Sequence, residues 1–150
     1  MVALAGAGCS VMRPEVRATE ARVVESIGGA TKVDIALELR NTGEDEVDLV
    51  EYDYLVTLAD GSAYGGKWAA LRALPPGQTF EATIPAVLPT ASVGSGGVAW
   101  RVSGTLRYRD PQSFARILYE SGLLRTEVGF SGAGGALRPA AQAPSAASGQ

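Results

Sequence analysis

The chain has 150 residues, of which 46% are hydrophobic, and thirteen Lys and Arg stand against sixteen Asp and Glu for a net charge of −3. That is the size of one domain with enough apolar side chains for a core without disulfide staples, and an isoelectric point near 5.0 with no basic stripe excludes a nucleic-acid partner. The absence of histidine removes the commonest general base and transition-metal ligand together with any Ser-His-Asp or Cys-His arrangement, so neither catalysis nor a metal or cofactor is expected.

The single cysteine, Cys9, allows no intrachain disulfide and no thiolate metal cluster. It follows an apolar and small-residue run, Val2 to Gly8, and precedes a polar connector from Ser10 to Glu15. This arrangement is similar to the end of a bacterial lipoprotein signal peptide, in which small residues precede a cysteine that becomes lipidated. Gly6 stands where that pattern usually has Leu, and no basic segment precedes the run. The alternative is an incidental thiol at a frayed terminus. No other run approaches the ~18 apolar residues of a transmembrane helix, so the expected membrane partner is reached through lipid at Cys9. Residues 1–15 then form a residual signal and tether.

Pro14 to Ser26 fits either a helix or a strand whose inner face carries Val16, Ala18 and Val24. The Gly28-Gly29 pair favours a strand turning through a hairpin into the next segment. That next segment is the clearest in the chain. Val33, Ile35, Leu37 and Leu39 alternate with Asp34, Ala36, Glu38 and Arg40, the two-residue period of a half-buried strand, and Asn41-Thr42-Gly43 ends it. From Val47 to Leu58 the apolar phase changes: Tyr52, Tyr54, Val56 and Leu58 share one face, whereas Val47 and Leu49 are out of step. A bulge or a change of sheet near Val50-Glu51 reconciles the two. Asp60-Gly61 signals a hairpin, with Ser62 to Ala70 returning antiparallel.

Pro75-Pro76-Gly77 breaks the chain. Phe80, Ala82 and Ile84 then mark a strand ending near Pro85, and Thr90 to Gly97 reads as a flexible loop. Val98 to Arg109 alternates cleanly, with Gly104 marking a bulge or a close backbone approach. Asp110-Pro111 opens a helix, as N-cap and first helical residue. The stripe Phe114, Ile117, Leu118 is expected to cap the sheets, and Gly122 stops it. Leu124 to Phe130 is a last strand, and residues 131–150, rich in Ala, Gly, Ser and Pro, read as a disordered tail. The prediction is all-β: an antiparallel β-sandwich over residues 16–130, like immunoglobulin and fibronectin-III domains, with about seven strands and one short helix before the last.

The order of signals resembles the WHy (water stress and hypersensitive response) domain of late embryogenesis abundant (LEA) type 2 proteins, in its bacterial lipoprotein form. The residues carrying the resemblance are IALELRN, VDLVEYDYLVTL, GSAYGGKW, LPPGQTFEATIPAVL and WRVSGTLRY. Thr42-Gly43 follows Asn41 where the family has proline, and Asn retains the turn role because it bonds its own backbone. The resemblance implies a sandwich without catalytic residues and a role in protecting proteins or membranes during dehydration. With Cys9 as anchor, it implies a location in the bacterial cell envelope, facing the periplasm, at the outer membrane. The alternative is an envelope protein–protein interaction module without a protective role.

Other chemistry is weaker. Gly61 to Lys67 fits G-x-x-x-x-G-K, but Trp68 replaces the Ser or Thr that would hold magnesium, so no nucleotide is expected. The acidic run Glu44, Asp45, Glu46, Asp48, Glu51, Asp53 reads as a solvated sheet edge, with a weak calcium site as alternative. Trp100, Tyr108 and Phe80 read as core. Tyr52, Tyr54, Tyr64 and Trp68 are the candidate surface contacts, and Arg101, Arg107 and Arg109 form a modest basic stripe.

Overall fold

The computed structural model describes residues 13–94, 96–110 and 113–137, with side chains for all but 113–115. In chain order the elements are β1 (Glu15–Ile27), β2 (Ala30–Arg40), β3 (Val47–Leu58), β4 (Ala63–Leu74), β5 (Thr79–Pro89), α1 (Thr90–Val93), β6 (Val98–Arg109), α2 (Ser113–Glu120) and β7 (Thr126–Leu137). The strands form two antiparallel sheets, β1-β2-β5 and β4-β3-β6-β7. The predicted all-β sandwich is therefore the observed one, with the short helix before the last strand.

Alternation fixes the core. Val33, Ile35, Leu37 and Leu39 of β2 are fully buried and face Tyr52, Tyr54, Val56, Leu58, Val102, Leu106 and Tyr108 of the other sheet. The phase change in β3 is a bulge: Val50 has no partner in β6, where Leu49 pairs with Tyr108 and Glu51 with Arg107, and on the other side two residues of β4, Ala70 and Leu71, oppose it. Val47 and Leu49 thereby face the core with the tyrosines. Leu71 takes the left-handed backbone of the bulge, at φ 42°.

Several readings differ from expectation, among them the end of β4, which runs to Leu74 rather than Ala70. β1 also bulges, near Thr19 and Val24, so its inner residues are Val16, Ala18, Ala21 and Val23, whereas Val24 faces solvent. β5 runs through Pro85 to Pro89. It is an edge strand, and the Pro85 carbonyl accepts a bond from the Tyr54 hydroxyl across the sandwich. The missing N–H therefore faces away from the β2 ladder and costs no bond. Thr90–Val93 forms one helical turn within the expected loop and buries Val93.

β7 continues through SGAGGAL to Leu137, which is buried, so residues 131–137 belong to the sheet rather than to a tail. Composition misled there because these small residues are spacers: a Cβ on Gly132 would lie 2.5 Å from Ala18 Cβ, and one on Gly134 would lie 2.5–2.8 Å from atoms of the Trp100 ring. The remaining tail, residues 138–150, lies outside the described residues.

The two sheet edges are closed differently. β1 lies against β7 through the Ala18–Gly132 approach, and the Arg72 guanidinium of β4 sits 4.2 Å from the Phe80 ring centre of β5. One end of the sandwich carries the Gly28-Gly29 and Asp60-Gly61 hairpins. The other carries Arg13, the β2–β3 and β4–β5 turns, and α2. Buried Asn41 ties that second end together: its amide donates to the carbonyls of Asp45 (2.7 Å) and Leu74 (2.9 Å), and its oxygen accepts from Gly43 N–H (2.9 Å). Asn41 thus makes the turn expected of it, with Thr42-Gly43 following and no proline.

Candidate functional site

Because inner positions are consumed by the core, whatever this domain does to its surroundings it does with its outer faces, its ends and the rim of β4. The outer face of the four-stranded sheet is built in rows by the strand register. One row reads Ala69, Glu51, Arg107, Glu127, and the next Lys67, Asp53, Thr105, Gly129. Arg107 lies 3.6 Å from both Glu51 and Glu127, and Lys67 lies 3.3 Å from Asp53. Beyond them come Gly65, Leu55, Ser103 and Ser131, short side chains apart from half-exposed Leu55, over a shallow depression of about 490 Å³. The other sheet repeats the theme with Arg17 bonded to Glu38 at 2.7 Å and Arg22 to Glu20 at 2.8 Å. Exposed pairs of this kind contribute little to stability. Their consequence is a dense carpet of donors and acceptors.

The basic stripe divides. Arg107 pairs with the acidic strand as expected, whereas Arg109 lies over the Tyr119 ring at 5.3 Å. The acidic run is not a sheet edge. β3 is a central strand flanked by β4 and β6, with Glu44–Glu46 in the turn before it and Asp48 and Asp53 on the outer face. Charge alternation along the strand is what the sequence showed, and strand order, which it did not show, placed those charges against Lys67 and Arg107. Among the described residues, no three Asp, Glu or Cys side chains converge.

The four candidate contact residues are separated by the fold. Tyr52 and Tyr54 are buried, at 2% and 6% exposure, and are core residues rather than surface contacts. Tyr52 packs edge-on against Phe130, and burial pushes its hydroxyl pKa up to about 12. Burial raises Tyr54 and Tyr108 as well. Tyr64 is half-buried and Trp68 is 48% exposed, because sheet β1-β2-β5 is one strand narrower and β4 overhangs it. Trp100 and Tyr108 are core, and Phe80 is half-buried beneath Arg72.

The segment Gly61 to Lys67 passes through the Asp60 hairpin into β4, with Trp68 continuing the strand. It therefore offers phosphate no helix N-terminus. At the hairpin, Ser62 N–H and hydroxyl donate to Asp60 and hold its carboxyl below the usual range.

The helix departs furthest from expectation. Its stop is as predicted: Gly122 has φ 74°, and Leu123 N–H closes back on the Leu118 carbonyl at 2.9 Å. Its stripe does not seal the sheets, since Ile117 is 62% exposed and Leu118 only half-buried. Pro111 and the Phe114 side chain lie outside what is described, as does Cys9. Leu123, 79% exposed, and Leu71, 82% exposed, escaped the sequence reading because single apolar residues beside Gly122 and inside a bulge carry no period. No described helix is long and apolar enough to cross a membrane.

In sequence the chain matches no protein-family model and no curated protein. In structure it is similar to a candidate LEA protein solved in solution, at TM-score 0.60 and 10% identity, over 86% of this chain and 73% of that one. It is also similar to a candidate ApaA protein from Bordetella pertussis, at TM-score 0.56 and 17% identity, over 85% and 95% of the two chains. A further structural-genomics X-ray structure aligns at TM-score 0.54 and 18% identity, over 87% and 88%. At these identities the likeness is one of fold.

Proposed function

We propose that this chain is a non-catalytic domain of the bacterial cell envelope. Lipid on Cys9 holds it at a membrane, facing the periplasm at the outer membrane, and it acts through its surfaces in the manner of LEA type 2 and WHy protection domains. The observation that carries this reading is an interior filled from end to end by apolar side chains, in a strand arrangement similar to that of a LEA-class structure. Both outer faces carry cross-strand ion pairs, with short polar side chains between those of the larger sheet. Such faces hydrogen-bond to neighbouring proteins or headgroups as water is withdrawn. The two-sheet body itself changes little, because its own backbone bonds are already made. Each buried methylene of the acyl anchor contributes about 0.8 kcal/mol to retention at the bilayer.

Drying a labile reporter enzyme with the purified protein tests the protective role. Recovery above that given by an equal mass of inert protein is expected, and equal recovery would remove the claim. Palmitate labelling of the wild type and Cys9→Ala tests the anchor: label on the former alone supports it, and label on both or on neither ends it.

A second reading, an envelope interaction module, draws on one observation. Trp68 sits on the overhanging β4 with 48% of its surface exposed, while Tyr64 on the same strand packs partly against the core, and partly exposed aromatic residues are preferred anchors at protein interfaces. One stoichiometric partner from envelope extract, lost in Trp68→Ala, would favour this reading over protection.

A further inference from the structure

Two of the most exposed apolar side chains lie at the closing end of α2: Ile117 in its last turn and Leu123 in the loop that stops it. Isolated exposed apolar residues are ordinary, but Ile117 belongs to the stripe this helix was expected to bury, and Leu123 is in the loop that closes the same helix. The helix sits at the sandwich end where β6 leaves and β7 enters, tied to β6 by Arg109 over Tyr119. The chain enters at that same end, since Arg13 lies two residues before β1 and β1 begins opposite Arg40 at the end of β2. Three residues lie between Cys9 and Arg13, and that step of four along the chain spans at most roughly 14 Å. Lipid on Cys9 therefore brings a bilayer surface to the end of the sandwich that carries α2, and to no other part of it.

We propose that α2 and its closing loop are the membrane-seating face of the domain, with Ile117 and Leu123 entering the boundary between headgroups and acyl chains. The proposal rests on the lipid attachment at Cys9 proposed above. The occupant is a neutral bilayer surface rather than an anionic one. Arg116 is paired with Glu120 at 3.0 Å, and at this end Arg13, Arg40, Arg109 and Arg125 stand against Glu44, Asp45, Glu46 and Asp110, so the end offers anionic lipid no net positive charge. The apolar contact adds buried area to the retention that the acyl anchor gives. The sandwich then stands upright, its hairpin end and its polar faces held away from the membrane.

The test uses the full chain, lipidated at Cys9, on phosphatidylcholine vesicles, with an environment-sensitive dye on Leu123→Cys, on Ile117→Cys, or on Ala59→Cys in the opposite hairpin. Expected are blue-shifted emission and quenching by brominated lipid at 117 and 123, with the dye at 59 remaining water-like. Adding anionic lipid should leave the shift unchanged. A water-like dye at both 117 and 123 on protein shown by mass to carry its acyl group would overturn the seating and leave the anchor standing. Absence of the acyl group would overturn both. A shift that appears only with anionic lipid would overturn the apolar contact. Unchanged circular dichroism in each variant confirms that the fold is the same.

Discussion

β2 and α2 carry equally regular apolar spacing, yet they end in opposite environments. In β2 all four predicted inward residues, Val33, Ile35, Leu37 and Leu39, are fully buried, whereas in α2 the middle residue of the stripe, Ile117, is largely exposed. The difference lies in how each element acquires a partner. A strand is joined to neighbours by its ladder, and β2 pairs along its length with both β1 and β5, so its inner face is carried over the opposite sheet. A helix makes its backbone hydrogen bonds within itself and has no ladder to a neighbour, so α2, of only eight residues, must find its partner through side chains. Here its described ties are Arg109 against Tyr119 and the half-buried Leu118.

That contrast can be broken most directly by truncation. Leu37→Ala should cost about 2–5 kcal/mol in urea unfolding, the range for emptying a closed core site. A cost within about 0.5 kcal/mol would mean that β2 is not the sealed centre described.

Next in size is an alkaline transition. Burial raises the Tyr52 pKa to about 12, so the folded state prefers the neutral phenol. Its contribution is fully present below about pH 10, the unfolded value, and is lost between there and about pH 12, amounting to about 2–3 kcal/mol. Tyr52→Phe should remove that part of the pH dependence, with the smaller loss from Tyr54 and Tyr108 remaining. An unchanged profile would place Tyr52 in contact with water.

The third prediction sharpens what the ladder demands. A Cβ on Gly104 would meet the Asp53 carbonyl oxygen and come within 2.7 Å of the Phe130 ring, whereas one on Gly135 meets nothing. Gly104→Ala should therefore cost about 1–3 kcal/mol through overpacking, and Gly135→Ala should stay within about 0.5 kcal/mol. Equal effects would show that β3, β6 and β7 are less tightly drawn together. The smallest expected effect is at the helix: Ile117→Ala should change stability by no more than about 0.5 kcal/mol. A loss above 1 kcal/mol would show that α2 is packed after all, and would remove the contrast with β2.

Much of this was readable without coordinates. The period of residues 33–39 named a strand and its inner face, the phase change in residues 47–58 called for a bulge or a change of sheet, and Gly28-Gly29, Asp60-Gly61 and Gly122 marked turns that the backbone takes with positive φ at each glycine. These are local facts, set by steric limits on φ and ψ and by the strict alternation of side chains along a strand. The candidate contact patch was less legible. Tyr52, Tyr54, Tyr64 and Trp68 share an alternating register across β3 and β4, and no local property says that the first two are fully covered, Tyr64 partly and Trp68 least.

What only the tertiary structure decided is which element lies beside which. That choice put the acidic strand in the middle of its sheet, turned the glycine-rich SGAGGAL into a strand that lets Ala18 and Trp100 approach, and left Ile117 without cover. Each of these outcomes depends on residues far apart in the chain meeting across a ladder or between layers. A sequence read through its neighbours determines the period of a segment and where it turns, and the burial of that segment waits on partners that only folding brings.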